Sequence, residues 1–322
     1  MRALPRILWL LVRVAAFLLG AGCLAAVVAG QGGRFSDALD VLNHFLPVFA
    51  AGALVALAIG WRDRPTALIS ALAVAVAAWQ VGPEVLFRGE RVRPDPAAER
   101  IKLIQYNIYF MNRDPAASAR WILAQDADFV VMEEAYVQAR PVVEALHARY
   151  PWRVDCSTPQ QACDTDILSK RPPIAQGSFR PITGAAVAWA TYQGKGGPFT
   201  IVGVHHTWPI PAGPQRRQVE GLAALLGRFD RNRLIVSGDF NSTAWSFALR
   251  RQDRWFGLER RTHALPSWPG GTLTRFDVPI PFPLLPIDHV YAGKAWRTVE
   301  VRRGPHLGSD HYPVVATLQA GP

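Results

Sequence analysis

The chain has 322 residues, half of them hydrophobic, and a formal net charge of +10. That length excludes a single small domain and suits one large domain with an appendage. The positive balance comes from Arg far more than Lys and favours an anionic partner (nucleic acid, lipid headgroups or phosphate esters) without choosing among them.

Three apolar runs open the chain, at about residues 7–30, 44–61 and 66–87. Each approaches or exceeds the ~20 residues that cross a bilayer. Arg13 interrupts the first run near enough to its start to snorkel. A cleaved signal peptide would account for the first run but not for the other two. Residues 1–88 are therefore read as a membrane anchor with three transmembrane helices, against the alternative of buried soluble helices. Arg2 and Arg6 precede the first run, and Arg62 and Arg64 lie between the second and third. The positive-inside rule puts both sites in the cytoplasm. Three crossings then leave the rest of the chain outside, on the periplasmic side of a cell inner membrane that holds a multi-pass protein. Arg88, Arg91 and Arg93 argue the other way, but they lead into a long domain, where the rule weakens.

Residues 89–100, "GERVRPDPAAER", read as a linker to a domain over 101–322. In that domain β-like runs alternate with amphipathic segments. The pattern predicts strands over 101–108, 128–133, 165–169, 187–192, 199–207, 233–240, 287–292, 297–303 and 312–318. It predicts helices over 116–126, 138–149 and 214–230, the last with Leu222, Leu225, Leu226 and Phe229 at helical spacing. Many strands and few helices suggest two packed sheets with helices outside. The Pro- and Gly-rich stretches at 208–214 and 266–286 read as functional loops.

Of the three cysteines, Cys23 lies in an apolar run and is expected to be inert. Cys156 and Cys163 flank a loop-like stretch, with no CxxC pair or His partner to suggest zinc. In an oxidising compartment they are expected to form a disulfide.

The polar residues collect at predicted strand ends: Asn107, Glu133 and Glu134, His205 and His206, Asp239 and Asn241, Asp288 and His289, and Asp310 and His311. Each has a bland explanation as a turn residue, a solvated acid or a packed histidine. Six such ends in one domain are harder to dismiss. In "SGDFNS", the two-residue spacing would turn Asp239 and Asn241 to one side of a strand and Phe240 to the other. A carboxylate beside an amide suits phosphate chemistry near a metal: one takes a proton from water, the other donates to a phosphoryl oxygen. Hard oxygen ligands favour Mg²⁺ or Mn²⁺ over zinc.

The order "QYNI", "VVMEEA", "GVHHTWP", "SGDFNS", "IDHVY", "GSDHYP" resembles the endonuclease/exonuclease/phosphatase superfamily, the fold of DNase I, over about residues 101–318. The resemblance implies an α+β fold, a four-layer α/β/β/α sandwich with its site at the strand ends. It implies Asn107, Glu134 and Asp310 as metal ligands. It implies His205, Asp239, Asn241, Asp288 and His311 as catalytic, with His205 and Asn241 contacting the phosphate and Asp288 orienting His311. Thr272 in "SWPGGTL" is a further substrate-contact candidate, and His289 is expected to be structural. The second motif usually reads Gln-Glu, so Glu133 stands where relatives have glutamine and adds negative charge. The expected activity is metal-dependent hydrolysis of a phosphoester, endonuclease-like and tethered to the membrane. A phospholipid phosphodiesterase or phosphatase is the alternative, since the Trp- and Pro-bearing loops would meet a bilayer or stack on bases. A calcineurin-like metallophosphoesterase is disfavoured, because its early Asp-x-His and Gly-Asn-His elements are absent. A non-catalytic membrane-anchored module is disfavoured because every expected position is filled. No protein partner is inferred.

Overall fold

The computed structural model describes residues 3–87, 89–157, 163–179, 187–273 and 278–321. It divides into two units. The first holds four helices: α1 (Ala3–Gln31), α2 (Asp37–His44), α3 (Leu46–Gly60) and α4 (Arg64–Leu86). Residues 209–212 and 243–250 group with them. α1 and α4 are each long and apolar enough to cross a membrane. α2 and α3, bent by 59° at their junction, make a third span only if the pair counts as one. The second crossing, expected at 44–61, is thus a 15-residue helix preceded by a short amphipathic one. α1, α3 and α4 meet through small residues: Cys23, Ala53 and Ala73 form a buried cluster. Arg13 does not simply snorkel, because its guanidinium bonds Asp63 at 2.6 Å. Asp63 in turn caps α4 by accepting from the Thr66 amide.

The second unit contains β1 (Arg100–Asn107), α5 (Pro115–Gln125), β2 (Phe129–Glu133), α6 (Arg140–Leu146), β3 (Trp152–Asp155), β4 (Thr165–Ser169), β5 (Ala175–Phe179), β6 (Val187–Gly194), β7 (Gly197–His205), α7 (Pro214–Leu226) and β8 (Leu234–Asp239). α8 (Phe247–Phe256) follows, then β9 (Glu259–Arg260), β10 (Thr272–Leu273), β11 (Val278–Pro279), β12 (Asp288–Ala292), β13 (Trp296–Arg303) and β14 (Val314–Ala320). Among the described residues there are two six-stranded sheets. One runs β13-β14-β1-β2-β4-β3 and the other β5-β6-β7-β8-β12-β9. β10 and β11 form a separate two-stranded hairpin.

Strand alternation explains the layering. In β1 and β2, Leu103, Phe129 and Val131 join Ile201, Ile235 and Val290 in a core shared by both sheets. Their neighbours Ile104, Val130 and Met132 face the other way and pack with Ile122 of α5 and Val142 and Leu146 of α6. α7 buries Val219, Leu222, Leu225 and Leu226 along one stripe. This is the expected α/β sandwich. The pattern missed β3, β5, the two-residue strands and α8. The short strands carry too few residues to show a period, and α8 is rich in Arg.

Cys156 and Cys163 are disulfide-bonded, with Cα atoms 5.2 Å apart. The bond closes the loop between β3 and β4.

Candidate active site

Strand register brings the polar ends together. In the second sheet β7 and β8 are parallel with His205 opposite Asp239, and β12 is antiparallel with Asp288 opposite Asp239. Three of the candidate side chains therefore stand in one row. In the first sheet Asn107 lies opposite Glu133 on the neighbouring strand. The sheets are joined by side chains at this edge: Asn107 Nδ2 donates to Asp239 Oδ2 at 3.1 Å, and Gln105 Nε2 donates to Asp288 Oδ1 at 2.8 Å. Gly238 is required by the tight β7–β8 approach, since a Cβ there would overlap the Val204 carbonyl oxygen.

β8 ends at Asp239, so Asn241 does not reach the site by strand alternation. It lies in a left-handed turn with φ +47°, which Asn tolerates better than most residues. Its backbone amide donates to Asp239 Oδ1 at 2.8 Å, and its Nδ2 donates to Asp239 Oδ2 at 3.1 Å and to the His206 carbonyl at 2.8 Å. Both side-chain protons are thus spent on holding Asp239 and the chain after β7. Phe240 packs inward with His206, Tyr291 and Phe256.

Two histidines flank Asp239 in the same way. His311 Nδ1 lies 2.8 Å from Asp288 Oδ2, and His205 Nδ1 lies 2.9 Å from Asp164 Oδ2. Each then points Nε2 at Asp239 Oδ2, at 3.7 Å in both cases. Burial opposes a charge on His205, but the bond and charge of Asp164, with Asp239 and Glu134, push its pKa up to about 9. His311 is likewise raised: burial opposes its charge, and Asp288 and Asp239 outweigh it. Asp239 is pushed up to about 6, burial acting against the downward pull of His311. Asp288 stays low because His311 outweighs its burial. The site is a carboxylate set between two carboxylate-oriented imidazoles.

Glu134 adopts a left-handed conformation, φ +58°, with its amide donating to the Asp164 carbonyl at 2.7 Å. Its Oε1 accepts from Asn107 Nδ2 at 3.1 Å and lies 3.8 Å from His205 Nε2. Asp310 is held at the same edge, where its carbonyl accepts from the Gly270 amide at 2.6 Å. Its Oδ1 is buried without a hydrogen-bond partner. Burial and the nearby Glu134 charge raise its pKa. A hard divalent cation fits this donor set, because it would satisfy a buried carboxylate oxygen that nothing else serves. Asp239, Asp288 and His311 also place one possible ligand atom each within 4.8 Å of one another. His311 Nδ1 in that group already bonds Asp288, which suits orientation of an imidazole better than metal ligation.

His206 is buried away from this cluster with both ring nitrogens unpaired, and burial lowers its pKa to about 3. His289 bonds Thr262 and the Ser242 carbonyl inside the fold, as expected of a structural residue. Thr272 sits in the β10–β11 hairpin with its amide bonded to the Gly270 carbonyl, and among the described residues no hydrogen bond ties it to the cluster. Glu133 is fully buried; Oε2 accepts from Gln105 at 3.0 Å and Oε1 has no partner. Burial, Asp288 and Asp239 raise its pKa well above the usual range. Its burial therefore works against the added negative charge expected from the sequence.

Sequence reasoning missed Asp164 and Gln105. Asp164 precedes β4, and β4 is antiparallel to β2, so its first residues lie at the edge where β2 ends. The acid before the run "TDILS" was the available signal, but it needed the strand's direction to be read.

Residues 104–311 match the model of the endonuclease/exonuclease/phosphatase family. No curated protein matches the chain. Among solved structures, one similar fold is an endonuclease/exonuclease/phosphatase protein of Bacteroides vulgatus (TM-score 0.57, 16% identity, 69% of this chain and 100% of that one). Another is sphingomyelinase C from Streptomyces griseocarneus (TM-score 0.54, 19% identity, 69% and 100%). A third is a variant of beta toxin from Staphylococcus aureus with bound magnesium ions (TM-score 0.53, 15% identity, 68% and 99%).

Proposed function

The chain belongs to the endonuclease/exonuclease/phosphatase family, and from that premise we propose that it is a divalent-metal-dependent phosphodiesterase. One observation carries this reading: His205 and His311 each present Nε2 at 3.7 Å from the Asp239 carboxylate.

Asn107, Glu134 and Asp310 would hold Mg²⁺ or Mn²⁺. When bound, the ion neutralises phosphate charge and polarises the phosphoryl oxygen. Asp239 takes the proton of the attacking water. Asn241 fixes both oxygens of that carboxylate, and a direct phosphate contact from its side chain would require it to give up one of its present bonds. His311 and His205, both favoured as cations, donate to the non-bridging oxygens as charge builds on the pentacovalent phosphorus. Asp288 and Asp164 keep those rings aimed.

The substrate reading is a nucleic acid, supported by the chain's charge of +10. A phospholipid headgroup is the second reading. It is supported by Trp208 and Phe282, 51% and 59% exposed on site-proximal loops, together with helices apolar enough to enter a bilayer. Membrane attachment through these helices, with the family domain on the periplasmic side, is supported by the loop arginines and by the Cys156–Cys163 bond.

The test is Mg²⁺-dependent hydrolysis by full-length protein in detergent, with Asp239→Ala as blank. The panel holds plasmid DNA, RNA, bis-p-nitrophenyl phosphate and phospholipid vesicles. Cleavage of DNA or RNA that the substitution removes supports the first reading, and vesicle hydrolysis alone supports the second. Equal rates for both proteins on every substrate would sink the hydrolase proposal.

A further inference from the structure

One step behind the candidate site, a single amide serves two buried acids. Strand alternation puts Leu103, Gln105 and Asn107 on one face of β1. Leu103 packs in the core between the sheets, and Asn107 reaches Asp239. Gln105 lies between them and is fully buried. Its Nε2 donates to Asp288 Oδ1 at 2.8 Å and to Glu133 Oε2 at 3.0 Å. A glutamine amide carries two N–H protons, and both are spent here on carboxyl groups. Its Oε1 has no hydrogen-bond partner among the described residues, so the groups its protons serve set the amide's orientation.

Asp288 is also the residue that holds His311. Its Oδ2 lies 2.8 Å from His311 Nδ1, and Ser267 adds a side-chain bond to the same carboxylate. Ser267 and His311 stand in loops, so Gln105 is the partner that ties this carboxylate to a strand of the facing sheet. The second imidazole–acid pair is built differently. The Asp164 side chain that bonds His205 is 36% exposed, where that of Asp288 is fully buried. The other side-chain donor to Asp164, among the described residues, is Thr165 Oγ1 at 3.4 Å.

We propose that Gln105 is a positioning residue for His311 and acts through Asp288: the amide fixes the carboxylate, and the carboxylate fixes the ring. At this buried position, loss of the amide leaves Asp288 Oδ1 without its donor and the carboxylate free to turn. Of the two imidazoles beside Asp239, His311 alone then loses its aim, because Gln105 bonds the acid of that pair and not Asp164. The kinetic consequence rests on the hydrolase reading; the holding of the ring does not.

The experiment uses full-length protein in detergent micelles: wild type, Gln105→Met, Asp288→Asn and the double variant. Gln105→Met keeps the length of the side chain and removes its donors. The first readout is kcat and KM on bis-p-nitrophenyl phosphate with Mg²⁺. The second is the imidazole Nδ1–H signals of histidine-labelled protein in nuclear magnetic resonance spectra, assigned with His311→Gln and His205→Gln. Gln105→Met is expected to lower kcat about ten-fold at similar KM. In the Asp288→Asn background the same change is expected to alter kcat by less than about two-fold, because the two residues act on one ring. The His311 Nδ1–H signal is expected to broaden or vanish while that of His205 persists. Equal falls in kcat in both backgrounds, an unchanged His311 signal, or loss of both histidine signals together overturns the proposal. If wild type hydrolyses nothing, the hydrolase reading fails and the imidazole signals alone decide: selective loss at His311 supports positioning, and any other pattern overturns it. If Gln105→Met does not fold, Gln105→Ser, with a smaller side chain, is judged by the same two readouts.

Discussion

His205 and Asp164 are 41 residues apart in the chain, and His205 Nδ1 lies 2.9 Å from Asp164 Oδ2. The pair repeats the geometry of His311 and Asp288 across the same carboxylate. An imidazole whose Nδ1 is held by an acid has its tautomer and ring orientation set, and its Nε2 is left to face the substrate.

Asp164→Asn removes the main upward influence on His205. Burial then dominates and its pKa falls from about 9. The alkaline limb of the kcat/KM profile is expected to move to lower pH, with kcat down at least about ten-fold. An unmoved limb would mean that His205 is not the group titrating there.

Asp239 must be ionised to accept a proton, and it sits at about 6. In limiting Mg²⁺, kcat/KM should rise as pH passes through about 6 and then level off. Added Mg²⁺ should shift that limb to lower pH, because a nearby cation favours the carboxylate. Asp239→Ala and His311→Ala should each lower kcat by about 10²–10⁴-fold, and chelation of the metal should abolish turnover. A rate-against-pH series at two Mg²⁺ concentrations checks all of this.

Burial, with Asp288 and Asp239 nearby, holds the Glu133 pKa well above the usual carboxylate range in the folded chain. A raised folded-state pKa gives stability that is complete below the unfolded value and is lost as pH rises toward the folded one. Glu133→Gln, nearly isosteric, removes that loss. The variant should match wild type near pH 4 and become more stable above it, the gap widening by up to about 1.4 kcal/mol per pH unit. Thermal unfolding from pH 4 to 8 tests the sign; a variant less stable than wild type at pH 8 would show that Glu133 is charged in the fold.

The Cys156–Cys163 bond closes a short loop next to Asp164. Ser at both positions should lower stability by about 2–3 kcal/mol. Thiol labelling of native protein without reductant should leave Cys156 and Cys163 unmodified. Modification of both would argue against the oxidising side of the membrane.

Much of this was legible beforehand. Leu103, Phe129 and Val131 alternate with Ile104, Val130 and Met132, so two-sided strands could be read directly. Asn107, Glu134, His205, Asp239, Asn241, Asp288, Asp310 and His311 were recognisable at strand ends, and the structure draws them to one edge. Asn241 was reached by faulty reasoning, since a left-handed turn and not strand alternation places it. Asp164 was missed because only the antiparallel pairing of β4 with β2 brings it to the site edge. The upward pull on the Glu133 pKa was not legible because two of its causes, Asp288 and Asp239, lie more than a hundred residues away.

The sequence by itself determined the apolar helices, the strand periodicity and the residue types of the site, because hydropathy, side-chain period and chemical identity are local properties. Only the tertiary structure decided which acid orients which histidine, that burial raises the Glu133 pKa, and that Asn241 sits in a left-handed turn. Those outcomes depend on strand direction, register and burial, which arise when distant segments meet and water is excluded between them.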